Sequence, residues 1–435
     1  MKRDSVKIGV IGLGTVGGGV VSALRRNRAE VRARCGVDVE VSRVADLDRS
    51  RLQGIRLPDR SLTQDYKDVL NDPDVRVVVE LVGGTGVARK VVLGALGAGK
   101  HVVTANKALL ASSWAEIFAL AHKNGRGVGF EASVMAGVPI IHTLEVGLAG
   151  NKIRSIHGIL NGTSNFVLTR MDNRGVEMDR AIEEARKRGL CEADHSLDTE
   201  GHDAQQKLSI LASIALGKWL PPDDIAREGI GHVEKQDLSE AREQYGYALR
   251  PLAIYKNIGG RIEARVHPTF IALDHPLAGI ENEFNAALIQ ADTAGPVTIA
   301  GKGAGEKPAA SGVISDIISL ARAISERGDQ GIVVPRPPDG RRIRITPLAE
   351  VESKYYLRFS VVDRPGVLSF ISGALGKHGV SIATCHQRGR SESGTVSIFM
   401  TTHHARDGAL RKALAAIDRR AAIVKRSTVA IRIEE

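Results

Sequence analysis

A buried strand running straight into a glycine-spaced turn limits what the start of this chain can become. Val6-Lys7-Ile8-Gly9-Val10-Ile11 leads without interruption into Gly12-Leu13-Gly14-Thr15-Val16-Gly17, where a helix is expected to open. In G-x-G-x-x-G the first glycine allows the tight turn and the second lets backbone approach a pyrophosphate. The third lets helix and strand pack closely, and the N–H groups of the helix start face the phosphates. Gly12, Leu13, Gly14, Thr15, Val16 and Gly17 are therefore candidate cofactor contacts, although the same spacing also suits a merely tight strand–helix turn. The context is a β-α-β pattern. Strands are expected from Val39 to Val44, Val75 to Val82, His101 to Thr104 and Gly127 to Glu131. Helices are expected near Val16 to Arg34, Val87 to Ala98 and Leu109 to Lys123. Near-continuous apolar runs such as "VRVVVELV" are what a parallel sheet buried on both faces requires. Residues 1–135 are thus expected to form a doubly wound α/β domain of the Rossmann type that binds NAD or NADP. Asp46 closes the second strand, where an acid commonly binds the ribose 2′-OH and favours NAD. Arg43, Arg49 and Arg51 stand nearby and offer the alternative, a 2′-phosphate.

Composition narrows the class. The 435 residues suffice for two or three domains, and 43% are hydrophobic, enough for a sizeable core. No apolar run is long enough to span a membrane, and "MKRDSVKIGV" enters a strand at once, so no signal peptide is expected. Cys35, Cys191 and Cys385 are too few and too scattered for a disulfide framework or a zinc site, which points to a reducing, cytoplasmic setting. The net charge is +10, but the basic residues are dispersed and aromatics make up only 4%, so no nucleic-acid partner is expected.

Beyond residue 135 the pattern changes to that of an α+β domain with a mixed sheet, 136–330. Strand-like "IRSIHGIL" precedes helices from Asp179 to Arg188 and Gly201 to Leu216. Strands follow around Ile262 to Val266 and Val297 to Ala300. The Gly301–Gly305 segment then precedes a helix through Ile314 to Ile324. Residues 331–354 read as a Pro-, Gly- and Arg-rich linker. Residues 355–435 read β-α-β-β-α-β, the ferredoxin-like order.

One short stretch concentrates ionisable groups: Glu192, Asp194, Asp198, Asp203 and Lys207. Asp203 and Lys207 are four apart in a helical pattern and share a face. Leu208, Leu211 and Ile214 form an adjoining apolar stripe that would bury it. A partly buried lysine beside a carboxylate suits proton transfer. On spacing alone, an ordinary surface Asp–Lys pair is the commoner meaning.

Taken in order, "GLGTVGGG", "ELVGGTGVARK", "GKHVVTANKALLA", "EASVMAGVPII", "GILNGTSNFVLTRM", "GLCEADHSLDTEGHDAQQKLSILA" and "GKGAGEKPAASGVISDI" resemble the homoserine dehydrogenase family over residues 6–330. The tail resembles an ACT domain, a module that binds small effectors. The resemblance implies NAD(P)-dependent interconversion of L-homoserine and L-aspartate 4-semialdehyde, on the route to threonine, methionine and isoleucine, by a homo-oligomer (dimer or tetramer). It implies that 136–330 is the substrate-binding, catalytic and oligomerisation domain. It makes Lys207 the acid/base, with Lys107 between nicotinamide and substrate and Asp203 beside them. Glu192, Asp198 and Asp203 become substrate-holding or supporting acids. Gly162 and Thr163 lie at a helix start whose groups can cap the helix or reach the substrate, and Gly303 and Gly305 allow close backbone approach to the cofactor or substrate. Glu131 and the carbonyls of Val134, Ala136 and Val138 match a site for a sodium-like cation; a tight turn without an ion is the alternative.

The chain departs from the family pattern at His195, Thr199, Glu306 and Met135-Ala136. The tail turn containing Asp363 and Gly366 is expected to bind an effector, with threonine the first candidate and a purely dimerising tail the alternative. A catalytically inactive protein sensing dinucleotide and amino acid is the competing functional class, against which the joint presence of Lys107, Glu192, Asp203 and Lys207 argues.

Overall fold

The computed structural model describes residues 5–53, 55, 57–192, 194–328, 343–387 and 394–435. The chain forms two compact units, each assembled from separate segments. One comprises Met1–Ile153, Gln206–Asp224 and Asn285–Ile343; the other comprises Arg154–Gln205, Ile225–Phe284 and Arg344–Glu435.

The first unit holds six parallel strands: β1 (Ser5–Ile11), β2 (Asp38–Ala45), β3 (Leu62–Thr63), β4 (Val77–Glu80), β5 (His101–Thr104) and β6 (Val128–Gly129). They lie in the order β3-β2-β1-β4-β5-β6, the doubly wound arrangement expected from the sequence. Ile8, Val10, Val77, Val79 and Val103 are fully buried between the helical layers, which is why their strands read as continuous apolar runs. The helix expected from Val16 to Arg34 is two helices, Thr15–Arg26 and Arg28–Cys35, parted at Asn27. Asparagine competes with the helical ladder through its own side chain, and here it ends one helix and begins the next. The strand expected to run to Glu131 stops at Gly129, and Glu131–Ser133 is a 3-10 turn. The helix Glu306–Arg327, far along the chain, buries Val313, Ile317 and Leu320 in the same core as Ile8, Val20 and Leu24.

In the second unit, strands Tyr247–Ile258 and Arg261–Ala272 form a hairpin across Gly259-Gly260, both with positive φ, as a two-residue turn with this twist requires. The helix Lys235–Tyr245 precedes them. The tail folds as β-α-β-β-α-β, with its strands in the order Val424–Glu434, Glu352–Val362, Thr395–Thr402, Ile382–Gln387. This is the ferredoxin-like topology, with a short extra strand, Ala405–Arg406, against Glu352–Ser353. The tail sheet continues its neighbour: Thr269, Phe270 and Ile271 pair in parallel with Arg432, Ile433 and Glu434.

Both faces of the tail sheet are covered. Helices Val367–Lys377 and Asp407–Asp418 cover one face over Leu357, Phe359 and Ile398. The other buries Tyr356, Phe399 and Ile431 with Phe166, Met171, Leu238 and Phe270. Much of the segment read as a linker, at 331–342, lies outside the described residues. From Ile345 the chain is ordered against Ile262, and the first tail strand begins at Glu352. Among the described residues, no helix is long and apolar enough to cross a membrane.

Candidate active site

The glycine loop has the geometry its spacing called for. Gly12 has φ +97°, and a Cβ there would lie 2.6 Å from the Leu81 carbonyl oxygen. A Cβ on Gly17 would meet the Gly12 carbonyl oxygen at 1.9 Å, so only glycine lets the helix close on the turn. Gly14 instead faces open space, and the helix it precedes has neither a side-chain cap nor an acid in its first turn. A helix start of this kind offers its N–H groups to an anion, so these residues fit a dinucleotide pyrophosphate.

Asp46 closes β2 beside this loop. Its carboxylate accepts the Leu13 N–H at 2.5 Å and the Asp48 N–H at 2.8 Å, with the Arg51 guanidinium 3.7 Å away. Arg43 donates to Asp72 at 2.7 Å and to the Arg60 carbonyl. Arg49 and Arg51 are exposed beyond Asp46.

Lys107 opens the helix Lys107–Asn124 and is half-buried. Spacing did not reveal what holds it. Fully buried Glu80, the last residue of β4, accepts the Thr104 hydroxyl at 2.6 Å and the Val82 N–H at 2.8 Å. Thr104 accepts from the Asn106 N–H, and Asn106 caps the helix at Leu109 while donating to Gly84 at 2.6 Å. An acid and a hydroxyl ending two adjacent buried strands, in "VVVE" and "HVVT", were the available signal. Rings of Trp114, Phe118 and Phe130 clasp the same helix against the approach to Glu131.

Glu131 accepts N–H groups from Ile141 at 2.9 Å and His142 at 2.8 Å, and His142 Nδ1 lies 3.1 Å from it. Its own N–H donates to Asp316 at 2.8 Å. Burial pushes both carboxyls above the usual carboxylate range, Asp316 far above it, with the charge of Glu131 adding to the rise. The loop 134–138 beside them carries Met135 at φ +53°, a conformation that non-glycine residues seldom hold. Gly137 donates to the Lys302 carbonyl at 3.2 Å, and Gly312 sits tight against the Ala136 carbonyl. The donor set is one carboxylate and backbone oxygens beside a second buried acid, which fits a hard monovalent cation. The Val138 carbonyl also accepts the Ile140 N–H at 2.7 Å.

In the second unit, Asn161 joins two of the acids singled out in the sequence. Its side-chain amide donates to Asp198 at 2.7 Å and to Asp203 at 2.9 Å. Its oxygen accepts the Ser164 N–H at 2.8 Å, capping the helix Gly162–Arg174. The asparagine preceding Gly162 in "NGTSN" was its sequence signal. The helix His202–Leu216 carries Asp203 and, one turn on and within the segment that belongs to the first unit, Lys207, which is 9% exposed. Glu192 is exposed and Asp198 half-buried. The Thr163 hydroxyl donates to the Leu190 carbonyl at 2.8 Å and so ties down the loop that carries the acids. Gly162 sits where a Cβ would be 2.8 Å from the Glu283 carbonyl oxygen. Burial, reinforced by the Asp198 carboxylate, pushes the Cys191 thiol up, as in a packing residue.

Two departures from the family pattern meet each other: His195 Nδ1 lies 3.1 Å from the Thr199 hydroxyl. A third, Glu306, packs over Gly19 and begins the helix Glu306–Arg327 as its first-turn acid. Gly303 closes on Asn285, and Gly305 has φ +110°. In the tail, Asp363 and Gly366 are exposed, and Gly366, at φ +92°, precedes the helix Val367–Lys377.

A parallel sheet in this strand order, with a glycine loop open to a pyrophosphate, is the dinucleotide-binding fold used by nicotinamide-dependent oxidoreductases. The homoserine dehydrogenase NAD-binding model matches residues 12–131, the homoserine dehydrogenase model 139–318 and the ACT domain model 355–420. A homoserine dehydrogenase of Neisseria gonorrhoeae is 40% identical over 95% of each chain. A crystal structure of a homoserine dehydrogenase from Thiobacillus denitrificans superposes with a TM-score of 0.93 at 37% identity, over 99% of each chain. A hyperthermophilic archaeal homoserine dehydrogenase in complex with NADPH matches 73% of this chain and 97% of its own, with a TM-score of 0.60 at 29% identity. The chain belongs to the homoserine dehydrogenase family and carries a C-terminal ACT domain.

Proposed function

We propose that this chain interconverts L-homoserine and L-aspartate 4-semialdehyde, with Lys207 as the acid/base and Lys107 beside the reacting carbon. The observation that carries the reading is the Asn161 amide, which holds Asp198 and Asp203 together one helical turn before Lys207. Two carboxylates suit an amino-acid ammonium group, with Glu192 able to close over it. A lysine one turn away suits a hydroxyl that must lose or regain a proton. The nicotinamide ring, when bound, accepts or returns the hydride. The chain's own part is to hold the substrate, move the hydroxyl proton at Lys207 and steady the alkoxide with its ammonium. Glu131 with the carbonyls of Val134, Ala136 and Val138 is the proposed cation site; a cation there would offset two buried acids.

The test is turnover of homoserine by the full chain with each dinucleotide. NAD is expected to give the higher kcat/KM, because the Asp46 carboxylate repels a 2′-phosphate. A strong NADP preference, in keeping with the relative solved with NADPH, would assign that phosphate to Arg49 and Arg51. No turnover with either would overturn the reading. The same assay in sodium chloride against choline chloride tests the cation, since equal rates would remove it.

Threonine is the proposed effector, received at the turn Asp363–Gly366, where Gly366 lets backbone come close and the helix start can take a carboxylate. The tail strand Ile382–Gln387 closes one edge of the sheet and is largely exposed, which suits pairing with a second copy and hence a homo-oligomer. Threonine is expected to inhibit the wild type and to act more weakly on Asp363→Ala. Unaltered activity together with no heat of binding would discard threonine.

A further inference from the structure

Glu228 follows a short strand, Ala226–Arg227, that pairs with Arg265 and Val266. Its carboxylate takes a forked pair of hydrogen bonds from tail residue Arg432, at 2.8 and 3.2 Å. Arg432 also donates to Asp407, and Arg411 donates to both acids. Burial would push Glu228 up, but the guanidinium groups, Arg432 first, hold it down at about 2. Arg432 is 4% exposed. A buried ion pair of this kind contributes little net stability but specifies position, because the fork has one good geometry.

The next residues lead toward the substrate acids. A Cβ on Gly229 would lie 2.7 Å from the Thr199 carbonyl oxygen and 2.9 Å from Glu200 Cα. The Ile230 N–H donates to that same Thr199 oxygen at 2.9 Å, and Arg227 donates to the Glu200 carbonyl at 3.1 Å. Thr199 ends the helical turn Ser196–Thr199, which contains Asp198. From the other side, the Ser164 hydroxyl holds the Asp198 carbonyl at 2.9 Å. Arg432 itself lies on the strand paired with Glu352–Val362, and that strand runs into the turn at Asp363.

We propose that Arg432 and Glu228 are positioning residues for the substrate acids, acting through Gly229 and the Thr199 carbonyl on Asp198. The proposal rests on the reading that Asp198 and Asp203 hold homoserine. It gives the tail a direct mechanical purchase on substrate affinity. Displacing the last tail strand moves Arg432, Glu228 follows its fork, and the Ser196–Thr199 turn follows the Ile230 hydrogen bond.

Steady-state kinetics of Glu228→Gln and Gly229→Ala in the full chain test it from opposite ends. Gly229→Ala replaces no charged residue and presses on Thr199 and Glu200, whereas Glu228→Gln weakens the Arg432 fork and the Arg411 contact. Each is expected to raise the homoserine KM on the order of tenfold, with kcat and the dinucleotide KM within about twofold of wild type. The double variant is expected to rise no further than the larger single effect, because both break one chain of contacts. Arg432→Lys, which keeps the charge and loses the fork, is expected to fall between wild type and Glu228→Gln.

A merely structural pair would lower the melting temperature of Glu228→Gln and leave the homoserine KM of the folded protein unchanged, which overturns the proposal. An unchanged KM in Gly229→Ala overturns it equally, and decides the matter if Glu228→Gln does not fold. A wild-type chain without homoserine turnover defeats the functional reading itself. Wild-type turnover with a flat KM across the variants defeats the relay alone.

Discussion

Lys207→Met is expected to cut homoserine turnover by roughly 10²–10⁴-fold, the usual effect of losing a general acid, with dinucleotide affinity near wild type. Methionine keeps the length and apolar stem of the side chain, so packing around Leu208 and Leu211, both fully buried, survives. It lacks the proton. Asp203, one turn earlier, keeps its hydrogen bond from Asn161, so the substrate acids stay in register. The glycine loop lies on other elements, and a fluorescence titration with the dinucleotide should therefore be indifferent to the change. Single-turnover rates measured beside that titration separate chemistry from binding. A folded variant that turns over at the wild-type rate would take the acid/base role away from Lys207.

Asn161→Asp is expected to lower kcat/KM on the order of 10–10²-fold, from about 1–3 kcal/mol for a lost donor between charged groups. Aspartate is as good a helix cap as asparagine, so the bond to the Ser164 N–H is kept. What changes is the middle of the cluster. Two N–H donors facing Asp198 and Asp203 become acceptors, and three carboxylates face one another. Like charges raise the pKa of one member, which then takes up a proton as pH falls and becomes a donor again. The deficit should therefore shrink toward acid and be fullest in alkaline buffer, a pH profile that simple loss of stability would not produce. A deficit independent of pH, or none, would mean that the amide is not what holds the acids together.

Local spacing made much of this legible. Gly12, Gly14 and Gly17 announce their roles through their spacing, and Gly17 is set by an atom only five residues away, the Gly12 carbonyl oxygen. The apolar runs of β1, β4 and β5 follow from a sheet buried on both faces. Asp203 and Lys207 share a helical face by arithmetic alone. What stayed hidden is what distance in the chain conceals. The strand Tyr247–Ile258 was not expected, because buried Arg250 and Pro251 break its apolar pattern; Pro251 lies opposite Pro268, and Arg250 donates to carbonyls. The helix Glu306–Arg327 shows an amphipathic pattern in sequence, but nothing in that pattern says that it completes the core of β1. Asn161 and Glu80 are polar residues at the ends of elements, where caps and loops also put polar residues for ordinary reasons. Their meaning appears only with their partners. The split at Asn27 lost to a helical periodicity that continues on both sides of it.

The parallel pairing of Thr269–Ile271 with Arg432–Glu434 has a consequence for how the protein is made and how it can evolve. The strand Arg261–Ala272 leaves the ribosome long before Val424–Glu434 exists, so its Thr269–Ile271 stretch must wait, unpaired on one side and open to association, for the final stretch of translation. Completing the ACT fold and completing the neighbouring sheet are then one event. A premature stop codon in the tail would not simply remove the ACT domain. It would yield a sheet with a bare flank, with Asp237 stripped of Arg358 and Glu228 of Arg432.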